Sequence, residues 1–231
     1  FLNETTNAQI VISKPSLGFT QACASPSFNT YNVTFSFSPE SALGSGNQFI
    51  VELSDGDSSF SNPTAVYTSG AGTVTTSPVT FSFSVPTTTA GEAFRIRVTS
   101  TSPTSISSSS NVFAGYYKIQ DTPFSINNLI ASGAYCSGGS YLLTIDNPGG
   151  VSNDSPLKYP SLTFKWYKET SPTTSVFVAD GETLSVNQPG TYFVETNYGS
   201  CTSNSFSNRV TVTEASSGST SNISSSLGNP Y

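Results

Sequence analysis

The chain of 231 residues carries 8 Lys and Arg against 14 Asp and Glu, has no His, and bears a formal net charge of −6. So few cations exclude nucleic acid as a partner, because phosphate neutralisation needs clustered Lys and Arg. The absence of histidine removes Ser-His-Asp and Cys-His triads and imidazole metal sites, and no apolar run approaches the roughly 18 residues of a membrane helix. Hydrophobic residues make up 35% and charged residues 10%, so most polarity comes from Ser, Thr and Asn. Those side chains, with 16 Phe and 11 Tyr, favour strands and turns over helix interiors. Two sandwiches of about 100 residues fit the length.

Phe1 to Gln9 is a polar lead-in, and the lack of Met predicts a mature or trimmed chain whose targeting peptide is gone. Gln9 to Pro15 reads as a first strand ended by proline, and Gly18 to Cys23 follows. Tyr31, Val33, Phe35 and Phe37 share one face of an alternating run, as do Val79, Phe81, Phe83 and Val85. Between them lie Gln48–Ser54, the turn Asp55-Gly56-Asp57, and a short strand over Thr64–Thr68. Thr87 to Glu92 reads as a turn, and Ala93 to Ser100 as one continuous strand with Phe94, Ile96 and Val98 inward. Ser102 to Ser110 is a Pro/Ser-rich connection, and Val112 to Ile119 closes the domain.

Asp121-Thr122-Pro123 is the expected linker, because Pro123 cannot donate to a ladder and restricts Thr122. The second domain has strand-like segments at Ser125–Leu129, Ser140–Ile145, Leu162–Lys168, Val176–Val178, Thr183–Val186, Gly190–Thr196 and Arg209–Thr213. Turn clusters at residues 147–150 and 187–190 punctuate them. The fold class is therefore all-β: residues 1–121 and 122–215 form two tandem immunoglobulin-like β-sandwiches. Residues 216–231 are a Ser/Gly-rich flexible linker expected to lead to a further domain.

Cys136, then Trp166, then Cys201 repeat the order of an immunoglobulin domain, in which an inter-sheet disulfide packs on a buried indole. A Cys136–Cys201 bridge would contribute about 4 kcal/mol by loop-closure entropy. Tyr192 precedes Cys201 by more than the two residues of an antibody domain, which places the bridge at the sheet end; the alternative is two buried free thiols. Trp166 and Tyr192 are assigned to the core. An exposed, sugar-stacking Trp166 is the other reading, opposed by Lys165 and Tyr167, which take the opposite face. Cys23 is left over, either as a free thiol or paired outside this chain. Cysteines in this pattern point to an oxidising compartment or a cell surface.

Phe49 to Asp55, Ser59 to Pro63, Gly91 to Val98 and Ser100 to Pro103 resemble the Ig-like modules of large cell-surface proteins of the Bacteroidetes. Cys136 to Gly139, Phe164 to Lys168, Pro189 to Tyr192 and Cys201 to Ser203 resemble a second, repeat-type module of the same proteins. The resemblance implies export by the type IX secretion system (the type B sorting-domain class), a secreted or outer-surface location, and a role in adhesion or gliding motility. It implies outer-membrane secretion or motility components, other surface proteins or glycans as partners. The sorting domain itself is absent from these residues, and no catalytic or ligand residue comes with the motifs.

The remaining constellations are sparse. Asp55 and Asp57, with Glu52, are candidate calcium ligands, set against an ordinary turn; Asp146, Asp154 and Asp180 are comparable loop acids. No other cofactor is expected. Asp180, Glu182 and Glu195 are the nearest approach to the paired carboxylates of a glycosidase, set against ordinary solvated acids. The expected role is non-enzymatic, and the competing one is an accessory carbohydrate-binding or spacer module of a secreted polysaccharide-degrading enzyme. Tyr116-Tyr117 breaks strand alternation, so one of the two is expected outward as a partner contact.

Overall fold

A computed structural model describes residues 9–150 and 155–215; most of the lead-in, Asp154 and the expected linker from residue 216 lie outside the described residues. Regular structure among the described residues is strand, apart from single 3₁₀ turns at Glu40–Ala42, Asn127–Leu129 and Pro156–Lys158. The chain divides into two units. Unit 1 takes the chain up to Asp121 together with Tyr198–Ser203, and unit 2 takes Thr122–Asn197 and the chain from Asn204 onward.

Unit 1 contains β1 (Val11–Ile12), β2 (Ser16–Leu17), β3 (Gln21–Ala24), β4 (Tyr31–Phe35), β5 (Phe37–Ser38), β6 (Phe49–Leu53) and β7 (Thr64–Thr68). β8 (Val79–Phe83), β9 (Ala90–Phe94), β10 (Ile96–Thr101), β11 (Thr104–Ile106) and β12 (Phe113–Tyr117) complete it. One layer is β2-β4-β8, in which Tyr31 faces Phe83 and Val33 faces Phe81. The other is built from β11-β10-β6-β7 and β3-β12-β9. Ile96 faces Leu53 and Val98 faces Val51, all buried. The alternating apolar residues of the two inner faces meet as rings, with Phe35 and Phe49 centroids 5.2 Å apart and Phe37 and Phe49 4.9 Å apart. Offset pairs of this kind add to the area they bury.

The run from Ala93 to Ser100 is not one strand. It changes sheet at Arg95: β9 pairs with β12, whereas β10 pairs with β6 and β11. The residues read as a turn after Thr89 are the first half of β9. At the switch Ser54 and Arg95 bond reciprocally. The Ser54 N–H donates to the Arg95 carbonyl at 2.9 Å, and the Arg95 N–H donates to the Ser54 hydroxyl at 2.8 Å. The Pro/Ser-rich connection also contains a strand, β11. Beyond it the ladder against β10 is continued by side chains, because the N–H groups of Val98 and Ile96 donate to the hydroxyls of Ser107 and Ser110, each at 2.9 Å.

Unit 2 contains β13 (Ser132–Cys136), β14 (Tyr141–Thr144), β15 (Phe164–Ser171), β16 (Thr174–Asp180), β17 (Thr183–Val186), β18 (Gly190–Thr196) and β19 (Val210–Ala215). Its sheets are β13-β19-β18-β15-β16 and β14-β17, with β13 parallel to β19. Trp166, Leu143, Val194, Val210 and Val212 fill the space between them. Trp166 is fully buried, and its indole N–H donates to the Gly181 carbonyl at 2.8 Å. The Tyr192 hydroxyl donates to the Gln188 carbonyl at 2.7 Å, four residues upstream. A buried Trp on the central strand and a tyrosine corner at the start of a neighbouring one are immunoglobulin-like features. The chain is all-β, and its units are immunoglobulin-like β-sandwiches.

Two further sequence expectations are corrected. The segment Ser125–Leu129 is not a strand, because Asn127, Asn128 and Leu129 have φ of 56°, 52° and 61°. Local polar bonds hold that conformation: the Asn128 N–H donates to Asp146 at 2.9 Å and the Asn127 amide to the Ile130 carbonyl at 2.8 Å. The bridge is Cys23–Cys201, not Cys136–Cys201, so Cys23 is not the unpaired thiol; Cys136 is free and exposed. Cys136 ends β13 opposite Ala215, whereas Cys201 lies in the segment that belongs to unit 1. There the Lys118 ammonium donates to the Thr202 carbonyl at 2.9 Å. Ser203 donates to Asp121 at 2.9 Å, and the Tyr198 hydroxyl donates to the Gln120 carbonyl at 2.7 Å. These bonds bring Cys201 beside β3, where Cys23 sits, with the Cα atoms 5.5 Å apart.

Candidate interaction surface

Strand alternation in unit 2 gives the five-stranded sheet an outer face. Trp166 points into the core, so Lys165, Tyr167 and Glu169 of β15 point away from it. Register sets Tyr167 opposite Phe193 of β18 and Phe177 of β16, and Lys165 opposite Glu195 and Asp180. Two rows result, one aromatic and one charged.

In the aromatic row, the Tyr167 and Phe193 rings stack at 5.4 Å with planes 18° apart, and Phe177 meets Tyr167 edge-on at 6.1 Å. The Arg209 guanidinium lies 4.2 Å over Phe193 and 5.6 Å from Phe206. It also donates to Glu169 at 3.0 Å. A cation held over a ring face and paired with a carboxylate is fixed in orientation. Beside it a shallow depression of about 200 Å³ is lined by Glu169, Ser171, Thr174, Phe193 and Arg209. In the charged row the Lys165 ammonium is 3.5 Å from Asp180 and 5.0 Å above the Phe177 ring.

Burial raises the Glu195 carboxyl above its ordinary range, opposed by the positive charge of Arg209. Burial also raises the Tyr167 phenol, assisted by the negative charges of Glu195 and Asp180. Lys165 stands between Asp180 and Glu195 in the register, so these acids do not form an open acid/base pair across a sugar-sized gap. Phe193 is buried beneath Arg209 and Tyr167 is half-buried, so the face offers the exposed ring of Phe177, oriented cations and hydroxyls, which is the chemistry of binding.

The other candidate residues lie elsewhere. Asp55 and Asp57 share a hydrogen bond that raises the first carboxyl and lowers the second. Both also accept from the Ser59 N–H, at 2.7 and 3.2 Å. Glu52 is engaged by Arg97 at 2.6 Å. The Asp-Gly-Asp motif is thus a locally bonded turn, and among the described residues no three of His, Cys, Asp and Glu are grouped to hold a metal. Asp146 is buried, with one carboxylate oxygen bonded to the Asn128 N–H.

Neither Tyr116 nor Tyr117 is exposed, contrary to the outward partner contact expected of the pair. The Tyr116 hydroxyl is buried and donates to Glu92 at 2.7 Å, while Tyr117 packs on the unit 1 core. Burial and then the adjacent Glu92 push the Tyr116 phenol well above its ordinary range. The extra inward residue fits because the register of β12 against β9 shifts between Phe113 and Gly115. Sequence reasoning did not single out the row Phe177-Tyr167-Phe193-Arg209. Its signal is the parity of Tyr167 against Trp166, but pairing it with Phe177 and Phe193 needs the register.

No family model matches the chain, and no curated protein does. Among solved structures it is similar to the N-terminal four Ig domains of Dscam1 isoform 6.9, at 10% identity and a TM-score of 0.35; the match covers 90% of this chain and 47% of that one. It is similar to the FN1–FN3 domains of chicken CNTN1, at 9% identity and a TM-score of 0.38, over 89% and 66% of the two chains. A third is the BSP domain of a biofilm associated protein, at 15% identity and a TM-score of 0.26, over 89% and 30%. The chain therefore spans about half the length of the Dscam1 chain and less than a third of the BSP-domain chain.

Proposed function

We propose that the chain is a non-enzymatic part of a secreted or surface-exposed adhesin or structural protein of a gliding bacterium. It is exported by the type IX secretion system and acts in surface adhesion or gliding motility. The observation that carries the extracellular part is the Cys23–Cys201 bridge, since disulfides persist in oxidising compartments and are rare in the cytosol. The module resemblance in the sequence supports the route and the role. Two sandwich units supply stiff, folded mass, and the outer face of β15, β16 and β18 supplies the contact surface. Its partners are outer-membrane secretion or motility components or other surface proteins. Deleting the gene is expected to impair surface spreading, and the chain used as bait on native outer membranes is expected to recover export or motility components. Normal spreading together with an empty bait overturns this reading.

The exposed ring of Phe177, beside the half-buried Tyr167, favours a second reading, an accessory carbohydrate-binding module. Rings beside hydroxyls and oriented charges suit stacking on a sugar face. A glycan array read with the wild type and with Tyr167→Ala separates the two, because signal lost in the variant selects the sugar.

A further inference from the structure

We propose that β16 is a homotypic docking edge, on which β16 of one copy pairs antiparallel with β16 of a second copy about a two-fold axis at Phe177. The proposal stands independently of the export route and of the gliding role. Among the described residues β16 is the last strand of its sheet and pairs with β15 alone. A strand with one partner presents alternate N–H and C=O groups outward, ready to template another strand. Val176, Phe177 and Val178, at the centre of this edge, are 49%, 51% and 40% exposed. Three consecutive apolar residues on an open edge are unusual, because edges are ordinarily blunted by Lys, Pro or inward charges. None of these lies in the sequence between Thr173 and Ala179, and the Lys165 ammonium that stands over the Phe177 ring from the neighbouring strand is paired with Asp180. An irregular register at Trp166/Tyr167 twists the β15–β16 ladder but adds no charge.

The charge pattern selects a second copy as the occupant. In a chain of net charge −6, every residue from Ser171 to Ala179 is uncharged. A pair centred on Phe177 sets Val176 opposite Val178, Ser175 opposite Ala179, and Thr174 opposite Asp180. The two Asp180 carboxylates then stand at opposite ends of the joint, whereas registers displaced towards Asp180 bring them together and are opposed by like charge. Directly opposed residues share a face, so Phe177 meets Phe177 and the rows of Phe177, Tyr167 and Phe193 run on into one another. The contact is isologous, so it closes at two copies.

The test is sedimentation velocity of the full chain over a concentration series, with Val176→Lys, Val178→Asp and their equimolar mixture. Both substitutions fall at exposed positions, and circular dichroism and melting check that each variant folds. The wild type is expected to shift reversibly from monomer to dimer. Each variant alone should self-associate at least about tenfold more weakly, and the mixture should recover dimer because the introduced charges face each other. Wild-type amide exchange should slow over residues 174–180 as concentration rises, a readout independent of the variants. A wild type that stays monomeric overturns the proposal, including one that captures only an added extended peptide of another sequence. So do self-association that neither variant weakens and a mixture that fails to recover.

Discussion

A serine hydroxyl in this chain repeatedly stands where a strand carbonyl would otherwise be. Ser207 is the clearest case. Its N–H donates to the Val194 carbonyl at 2.9 Å, its hydroxyl accepts from the Val194 N–H at 3.0 Å, and the same hydroxyl donates to the Asn208 carbonyl at 2.8 Å. Ser54, Ser69, Ser107 and Ser110 repeat the three-part bond with Arg95, Phe49, Val98 and Ile96. The hydroxyl reaches across where the backbone has drifted out of ladder register and satisfies a buried N–H. Replacing Ser207 or Ser110 with Ala leaves the N–H of fully buried Val194 or Ile96 without its acceptor. The expected cost is about 1–3 kcal/mol in denaturant melts, against near zero for Ser→Ala at exposed Ser175. Glu195 gives a pH signature. Its folded carboxyl is raised, so the folded chain holds that proton to higher pH than the unfolded chain does. Stability therefore falls as pH rises from the ordinary carboxylate value of 4.5 through the raised one, and the loss is complete above it. In Glu195→Gln that decline should vanish from melting temperatures measured across the acid range, with no loss of stability at neutral pH.

Strands with strict alternation were legible from sequence. Thr183–Val186 forms as its period and flanking turns dictate, and Thr64–Thr68 and Gly190–Thr196 also form, but the alternating run Tyr31–Phe37 is split at Ser36, with β4 pairing to β8 and β5 to β1. The elements that were not legible are those whose hydrogen bonds run through side chains or change partner midway. The sheet switch at Arg95 is invisible to a period-2 reading because β9 and β10 keep their alternation across it; only the pairing differs. β11 hides among serines and a proline, and the strand expected over Ser125–Leu129 is displaced by asparagines that bond locally. Of the candidate site, Trp166 and Tyr192 were legible because bulk and position decide burial. The aromatic row was not, because it depends on which residues face each other across β16, β15 and β18. Tyr192 anchors its strand through one bond to the Gln188 carbonyl, so Tyr192→Phe should cost about 0.5–1.5 kcal/mol. An unchanged midpoint in urea would mean that ring packing alone holds the corner.

At the largest scale, unit 1 is closed by a covalent link that sequence pattern assigned to the wrong pair. The Cys–Trp–Cys order in unit 2 matched an antibody domain, but the bridge depends on where the segment Tyr198–Ser203 goes. That path is set by Lys118, Gln120 and Asp121, which no cysteine spacing encodes. Cys23–Cys201 spans 178 residues of sequence, for which chain entropy allows up to about 5 kcal/mol. Cys23→Ser and Cys201→Ser should each lower the melting temperature of the oxidised chain, whereas Cys136→Ser should leave it unchanged. Iodoacetamide on the native oxidised protein should label Cys136 alone, as peptide mass spectrometry will report.

Because Tyr198–Ser203 belongs to unit 1, that unit is discontinuous in the gene, and this sets an order of events on a chain made from its N-terminus. When Asp121 leaves the ribosome, or a secretion pore, the first sandwich still lacks its last six residues and Cys23 is still a thiol. It must wait while the first stretch of unit 2, Thr122–Asn197, is delivered. A fragment ending at Asp121 should therefore react with thiol reagents at Cys23 and melt below the intact chain. The second unit acts as a timer: oxidation of the first cannot be completed until synthesis has passed residue 201.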